Sequence, residues 1–441
     1  METEELKILL ALEPTWTVSR NGVEFQTMHS TEILLDKATI RIGKWKRNID
    51  RIEWLRPNVV RIRGRQRMRT ETDVFTLYPG PRLPSRVDLR RRRRTFQVQL
   101  GRALKAFLPA PFAQRQMMHS DRRHGIGGAY PRFLAGNHAV IAVDPDEAAP
   151  TVNAVMSAAL LWSGLIKRRV TVIVPKHRAQ TIRSRLEVMT GLRAMFDWLE
   201  WDGESIAPLS AGPGDTRTEV HAFDPLDVRE EVSRLLARFP GLQPVPNIAG
   251  RAVSLRFRGI DVAQVREDFT AYPLGEPLER VVAELETLRR FGSHHPIARA
   301  HEERWLESNL IGEIGRLVPS IDPAHIYPQV PSFVGEERNI IDLLAVTRDG
   351  RLVVMEIKAS PDPDLPFQAL DYWIAVERHR KSGDFQRSGY FRNVALKDQP
   401  ALLILVAPLL AFHRTLQRLV SVFPQEVPLL QIGLKIGRAH V

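Results

Sequence analysis

The chain contains no cysteine. Disulfide bonds and thiolate-held metals are therefore excluded, and a reducing cytoplasm is permitted without being required. Apolar runs are short, none reaching the ~18 residues of a membrane span. The opening residues, Met-Glu-Thr-Glu-Glu-Leu-Lys, hold neither a basic leader nor an apolar signal core, so a cytoplasmic location is expected. There is no glycine-rich phosphate loop of the G-x-G-x-x-G or Walker kind, and hence no nucleotide site to assign. Repeats and long low-complexity tracts are absent too.

What is there is a globular composition, 44% hydrophobic and 26% charged over 441 residues, enough for about two to four domains. The net charge is +12. Such an excess favours a polyanionic partner, of which nucleic acid is the commonest.

The most informative stretch runs from Asn339 to Lys358. Asn-Ile-Ile-Asp342-Leu-Leu-Ala-Val346 and Leu352-Val-Val-Met-Glu356-Ile-Lys358 flank an Asp349-Gly350 turn, a strong hairpin signal. Asp342, Glu356 and Lys358 interrupt runs of Val, Ile and Leu, where a charge is costly unless paired or bound to a metal. If Arg348-Asp349-Gly350 is a three-residue loop with Gly350 left-handed, 347 pairs with 351 and 342 falls opposite 356. Directly opposed residues share a face, with Cβ atoms roughly 4.5–5.5 Å apart. Lys358 shares it too, two residues beyond Glu356. Two carboxylates so close repel unless a cation lies between them, and hard oxygen ligands suit Mg²⁺. A two-residue loop would instead turn Asp342 to the other face.

This constellation resembles the PD-(D/E)XK nuclease superfamily: an acidic residue, a hairpin, then Glu-x-Lys. It is most similar to the catalytic domain of NucS-type DNA endonucleases, although Ile341 stands where the family name has Pro. Pro366-Phe-Gln368-Ala-Leu-Asp-Tyr372-Trp373 is similar to the Gln-x-x-x-Tyr element of RecB-type nucleases. At a spacing of four, Gln368 and Tyr372 face one side of a helix, with Asp364 as its N-cap and Pro366 in its first turn. Upstream, His301–Leu310 resembles the opening helix of the family. Glu303 is its metal-facing candidate, because Trp305, Leu306 and Leu310 would define the buried side; Glu302 and Glu307 stay open. The likeness covers residues 296–435.

The resemblance implies a mixed sheet flanked by helices, in the order α-β-β-β-α-β-α-β. Pro400–Pro408 and Val427–Gly433 read as later strands and Thr415–Val422 as a helix. It further implies Mg²⁺ or Mn²⁺ held by Asp342, Glu356, the Ile357 backbone carbonyl and Glu303. Lys358 would hold the attacking water or the developing charge, while Gln368 and Tyr372 would hold the phosphate or shape the site. The implied activity is hydrolysis of phosphodiester bonds in nucleic acid, DNA before RNA. Two competing readings are a catalytically silent nuclease fold acting as a binding platform, and an enzyme centred on the middle of the chain.

The expected architecture is a multidomain α/β protein: a β-rich, arginine-rich region (1–128), a central α/β region with a linker helix (129–292), and the nuclease-like domain (293–435). The tail 436–441 reads as an artefact to be set aside. Short β-like runs fill 1–84, separated by turns such as Asn21-Gly22, and suggest a small barrel or sandwich. Arg41, Lys44, Lys46, Arg47, Arg61, Arg63, Arg65, Arg67 and Arg69 concentrate there, followed by Arg90-Arg91-Arg92-Arg93-Arg94. Five consecutive arginines cannot share one helix face. Some must meet solvent or a phosphate backbone, which positions a protein without reading sequence. Trp45, Trp54 and Phe96, interleaved with them, are expected in the core. In the central region, strands Ala139–Val143, Val170–Val174 and Phe196–Glu200 alternate with helical segments, which implies parallel pairing. Asp144 and Asp146 read as helix caps. No oligomeric state follows from the sequence.

Overall fold

A computed structural model describes the chain except residues 1–2, 23, 37, 57, 67–70, 82–85, 108–118, 121–128, 136, 167, 211–228, 248–251, 267–268, 273, 275–276, 291–292, 294, 300, 335–336 and 436–441. Arg67, Arg69 and the suspected tail lie outside the described residues. The protein is a mixed α/β fold with several sheets. It divides into two compact units, each assembled from separated stretches: Met1–Pro84 with Asp224–Glu313, and Ser85–Phe223 with Ile314–Ile436.

In the first unit, strands between Thr15 and Pro79 form one seven-stranded antiparallel sheet. The alternation of a half-buried strand is clear. Trp16, Val18, Ile40, Ile42, Val60, Ile62, Phe75 and Leu77 are buried, and the pairing register sets them on a common face. A second, four-stranded antiparallel sheet runs from Leu242 to Ala271. The helix Thr3–Leu12 was not anticipated.

In the second unit, His138–Ala142, Arg169–Pro175 and Asp197–Trp201 pair in parallel, as their alternation with helices implies. The arginine run is helical, in Arg86–Phe107. That helix buries Phe96, Leu100 and Leu104, at spacings of four, against Val140, Ile173 and Leu199. The segment Ala149–Ile166 does reach the length and apolarity of a membrane span, contrary to expectation. It is broken into Ala149–Asn153 and Val155–Ile166, and Val152, Val155, Met156, Ala159 and Trp162 are buried in the unit's core.

The C-terminal sheet has five strands in sequence order: Ile321–Val334, Glu337–Thr347, Leu352–Ile357, Leu402–Pro408 and Leu429–Leu434. The first three pair antiparallel and the last three parallel. The helix Leu365–Ser382 makes the crossover that parallel pairing demands. It packs on this sheet and on the helix Gln180–Val188, so residues from both sheets of the unit enter a single core. This is why the chain around 129–223 belongs with the C-terminal sheet. A helix covered on both sides cannot be amphipathic, and its one deeply buried aspartate needs an internal partner. Arg185 supplies it, reaching Asp371 with two hydrogen bonds of 2.7 Å while stacked 5.4 Å over Phe367.

Breaking a buried pair leaves an uncompensated charge and costs about 3–5 kcal/mol, whereas replacing both partners by apolar residues costs far less. Asp371→Ala is accordingly expected to lower stability by that amount in urea unfolding, and the double change Arg185→Met with Asp371→Leu to recover most of the loss. Equal losses in both proteins would contradict this account of the clamp.

Candidate active site

The hairpin closes as a three-residue loop. Thr347 N–H donates to Arg351 O and Gly350 N–H to Thr347 O, both at 2.8 Å. Gly350 has φ +93°, and a Cβ there would collide with the Ala395 carbonyl oxygen. Pairs then run from Val346↔Leu352 to Leu343↔Met355, so Asp342 and Glu356 are the next opposed residues. The two-residue alternative does not occur.

Beyond Leu343↔Met355 the two strands part. The Ile357 N–H donates to the Asp342 side chain, at 2.8 Å to Oδ2, and the Lys358 N–H to Val406 O at 2.9 Å. Asp342 thus stands in for a strand carbonyl. Glu356 is 1% exposed; its Oε1 accepts a hydrogen bond from Lys358 Nζ at 2.9 Å, and its Oε2 is buried as well. Asp342 and Lys358 are half-buried. Two carboxylates and one ammonium leave a formal negative charge in a largely enclosed place, which favours a cation.

The helix Leu365–Ser382 brings Gln368 and Tyr372 to the same place. Gln368 Nε2 donates to the Tyr372 hydroxyl at 3.1 Å. Burial chiefly, and then the charges of Glu356 and, more weakly, Asp342, push the Tyr372 phenol well above its ordinary range, against the Gln368 hydrogen bond. Tyr372 is therefore a permanent donor within electrostatic reach of both carboxylates. Asp364 occupies the N-cap position but makes no capping bond. Its carboxyl accepts from Ser157 Oγ at 2.8 Å, because the helix start is packed against the central region and a nearer donor is available there. Enclosure, the largest cause, raises that carboxyl to about 6.

Glu303 is not among the residues this unit brings together. It stands exposed in the first turn of Glu302–Leu317, in the stretch belonging to the first unit. Leu306 and Leu310 do form the buried side, yet that side also carries Glu307, which is paired with Arg256 at 3.2 Å. Glu307 is thus structural.

The arginine run is divided in use. Arg92 and Arg93 bond to Glu147 at 2.9 and 2.7 Å, and Arg92 lies 3.4 Å from Asp144. These two fasten the helix to its own unit. Arg90, Arg91 and Arg94 are exposed. Asp144 accepts from the Asp146 N–H at 2.9 Å in a local turn, which replaces the expected cap. In the seven-stranded sheet, Arg47 is buried and bonds to Asp73 at 2.6 Å. Lys44 and Lys46 are exposed. The pairs Arg41↔Lys46, Asn48↔Arg65, Arg51↔Arg63 and Glu53↔Arg61 set six basic residues on the face opposite the core. Glu53 lies 3.4 Å from Arg61 and 3.7 Å from Arg63.

Among the described residues, no group of three or more His, Cys, Asp or Glu forms a metal cage. The donors present fit Mg²⁺ nonetheless, since that ion takes one or two carboxylates and keeps several waters. Asp342 and Glu356 supply hard oxygens on one face, and the Lys358 ammonium already marks a cationic position beside Glu356. No protein-family model matches the chain, and no curated protein matches it.

Two outcomes are expected. Mg²⁺ should raise the unfolding temperature of the wild-type chain relative to an EDTA control, and Asp342→Asn or Glu356→Gln should abolish the rise; an undiminished rise in both variants would remove the carboxylates from the ion's shell. The second concerns His301, which opens the helix of Glu303 at φ +49°. Burial first, then Arg304 and Arg289, lower its imidazole to about 4. The unfolded chain takes up the proton more readily, so stability is full above the ordinary histidine value of ~6.5 and is lost as pH falls from there through about 4. His301→Asn, tolerant of the left-handed backbone, should flatten that slope in urea unfolding followed from pH 7 to 4.

Proposed function

We propose that this chain is a Mg²⁺- or Mn²⁺-dependent nuclease of the PD-(D/E)XK type, hydrolysing phosphodiester bonds in nucleic acid, with DNA the expected substrate. One observation carries the reading. Asp342, Glu356 and Lys358 meet at the parting end of a hairpin, beneath a helix that delivers Gln368 and Tyr372 to the same place.

Asp342 and Glu356 would hold the ion, with the Ile357 carbonyl completing the protein donors. When bound, the ion lowers the pKa of a coordinated water and polarises the phosphate. Lys358 is a compact point charge, suited to orienting the attacking water and to offsetting the charge that gathers on the phosphate. Its bond to Glu356, at 2.9 Å, keeps it aimed. Tyr372, a donor at every working pH, and Gln368, whose orientation is tied to it, would grip phosphate oxygens. Two carboxylates repel a phosphate, so affinity has to come from cationic surface elsewhere. The basic face of Arg41, Lys46, Arg51, Arg61, Arg63 and Arg65, and the exposed Arg90, Arg91 and Arg94, are suited to backbone contact of that kind.

The test is cleavage of end-labelled single- and double-stranded DNA and RNA with Mg²⁺ or Mn²⁺, against an EDTA control. Asp342→Ala, Glu356→Ala and Lys358→Ala should each lower cleavage by on the order of 10²-fold or more while the protein still binds the labelled strand. Undiminished cleavage by purified Lys358→Ala would refute the assignment. Paired changes such as Arg63→Ala with Arg65→Ala should weaken binding evenly across sequences and reduce its salt dependence.

A further inference from the structure

The strand Leu402–Pro408 runs parallel to Leu352–Ile357, with Val406 paired to Ile357. Their carboxyl ends therefore lie on one edge of the sheet, and that edge carries Glu356 and Lys358. Just beyond Val406 the chain turns. Ala411 N–H donates to Pro408 O at 2.7 Å and Leu409 N–H to Leu434 O at 2.9 Å. Leu409 and Leu410 are thus the two central residues of a turn. Leu410 is 94% exposed and Leu409 59%, and among the described residues no other large apolar side chain is as exposed as Leu410.

Turn centres draw on Gly, Pro, Asn, Asp and Ser, and burial explains neither leucine. Single apolar residues scattered over a surface need no account, but an adjacent pair at the tip of one turn, rimmed by charge, marks a place of contact. The rim is basic: Arg414 and Lys435 are exposed. The tip is also firm. Leu409 lies against Gly433, where a Cβ would meet its Cδ1 at 2.6 Å, and the turn is bonded at both ends. Leu410 is therefore held out by its own backbone, with little ordering left to lose on contact.

We propose that Leu410 is a wedge that enters between two stacked bases of the bound nucleic acid, close to the phosphate to be cut. Val406 to Leu410 spans at most about 14 Å and neighbouring strands lie ~4.8 Å apart, so the tip is within ~15 Å of Ile357. A duplex covers that distance in about four or five base steps at ~3.4 Å each. The chemistry selects the partner. A leucine side chain suits the apolar face of a base, and Arg414 and Lys435 suit the phosphates on either side. Apolar wedges of this size unstack a step and kink the duplex. Unstacking costs least at flexible pyrimidine–purine steps, so the wedge gives a preference among steps without a hydrogen bond to any base edge.

The assignment rests on the nuclease reading for its place beside the carboxylates, yet its first test needs no cleavage. Duplex DNA carrying 2-aminopurine at a central TA step is titrated with protein in EDTA. Wild type should raise the fluorescence of the probe as the step opens. Leu410→Ser, which changes an exposed side chain, should keep the wild-type unfolding temperature and lose most of that rise. In Mg²⁺ the ratio of duplex cleavage to cleavage of an oligothymidine strand, which has little stacking to open, should fall by ~10- to 100-fold in the same variant, the worth of burying one leucine. An undiminished fluorescence rise with Leu410→Ser overturns the proposal. So does an unchanged cleavage ratio, because the side chain would then act without opening a step. A leucine tip with basic neighbours also fits an acidic lipid surface. If wild type binds phosphatidylserine vesicles, Leu410→Ser does not, and the two respond alike to the duplex, the tip belongs to a membrane and the proposal falls. A wild type that raises the fluorescence yet cuts nothing in Mg²⁺ or Mn²⁺ overturns the nuclease reading and leaves the wedge standing.

Discussion

Glu356 is a carboxylate only 1% exposed in the third of five strands, on which the helix Leu365–Ser382 packs, and most of the surrounding arrangement serves to tolerate it. An isolated carboxylate in such a place would take up a proton rather than remain charged. Lys358 meets it from two residues on, the shortest spacing in a strand at which a partner shares its face. Asp342 then enters across the hairpin, where its side chain accepts the Ile357 N–H. The register of the loop decides all of this. A loop shorter by one residue would leave Asp342 behind the sheet and Glu356 neutralised by Lys358.

Holding that register is a matter of packing well away from the charges. Gly350 lies against the Ala395 carbonyl with no room for a side chain, so the loop has one conformation. At the other end, the Ile357 N–H would be left without a strand partner as the ladder parts, and Asp342 accepts it. The covering helix is held by Arg185 and Asp371, which join it to the central region through a fully buried bidentate pair. The central region is thus a support for the helix that carries Gln368 and Tyr372. It offers no phosphate loop of its own, and its carboxylates Asp144 and Glu147 are engaged by Arg92 and Arg93.

The hairpin was legible in the sequence because its information is local: an Asp-Gly turn, two apolar runs and a period of two. The parallel strands of the central region were legible for the same reason. The helical period of Leu306 and Leu310 identified the buried stripe correctly, but periodicity gives the face of a helix and not what that face packs on. The pairing of residues 85–223 with the C-terminal sheet was likewise invisible, since it depends on contacts such as Ser157 with Asp364, 207 positions apart.

Net charge behaves in the same way. The formal +12 is a sum over the chain, and the arginines that contribute to it are not equivalent. Arg47, Arg92, Arg93, Arg185 and Arg256 are paired with carboxylates within their own units, and Arg289 is buried with its guanidinium on the carbonyls of Arg258 and Ile297. Each such group is already desolvated and committed, so it adds little to the attraction of a distant anion. The charge available to a partner is what strand alternation and helical spacing leave outside. On the seven-stranded sheet that means Arg41, Lys46, Arg51, Arg61, Arg63 and Arg65, with Glu53 between the last strands to hold three of them in place. Two carboxylates sit among these guanidiniums, Glu53 and the Asp50 that Arg65 binds at 2.9 Å, and such pairing lowers the local excess. It also orders side chains that would otherwise lose more conformational entropy on meeting a phosphate, so a mixed face of this composition can bind a polyanion better than an all-basic one of the same net charge.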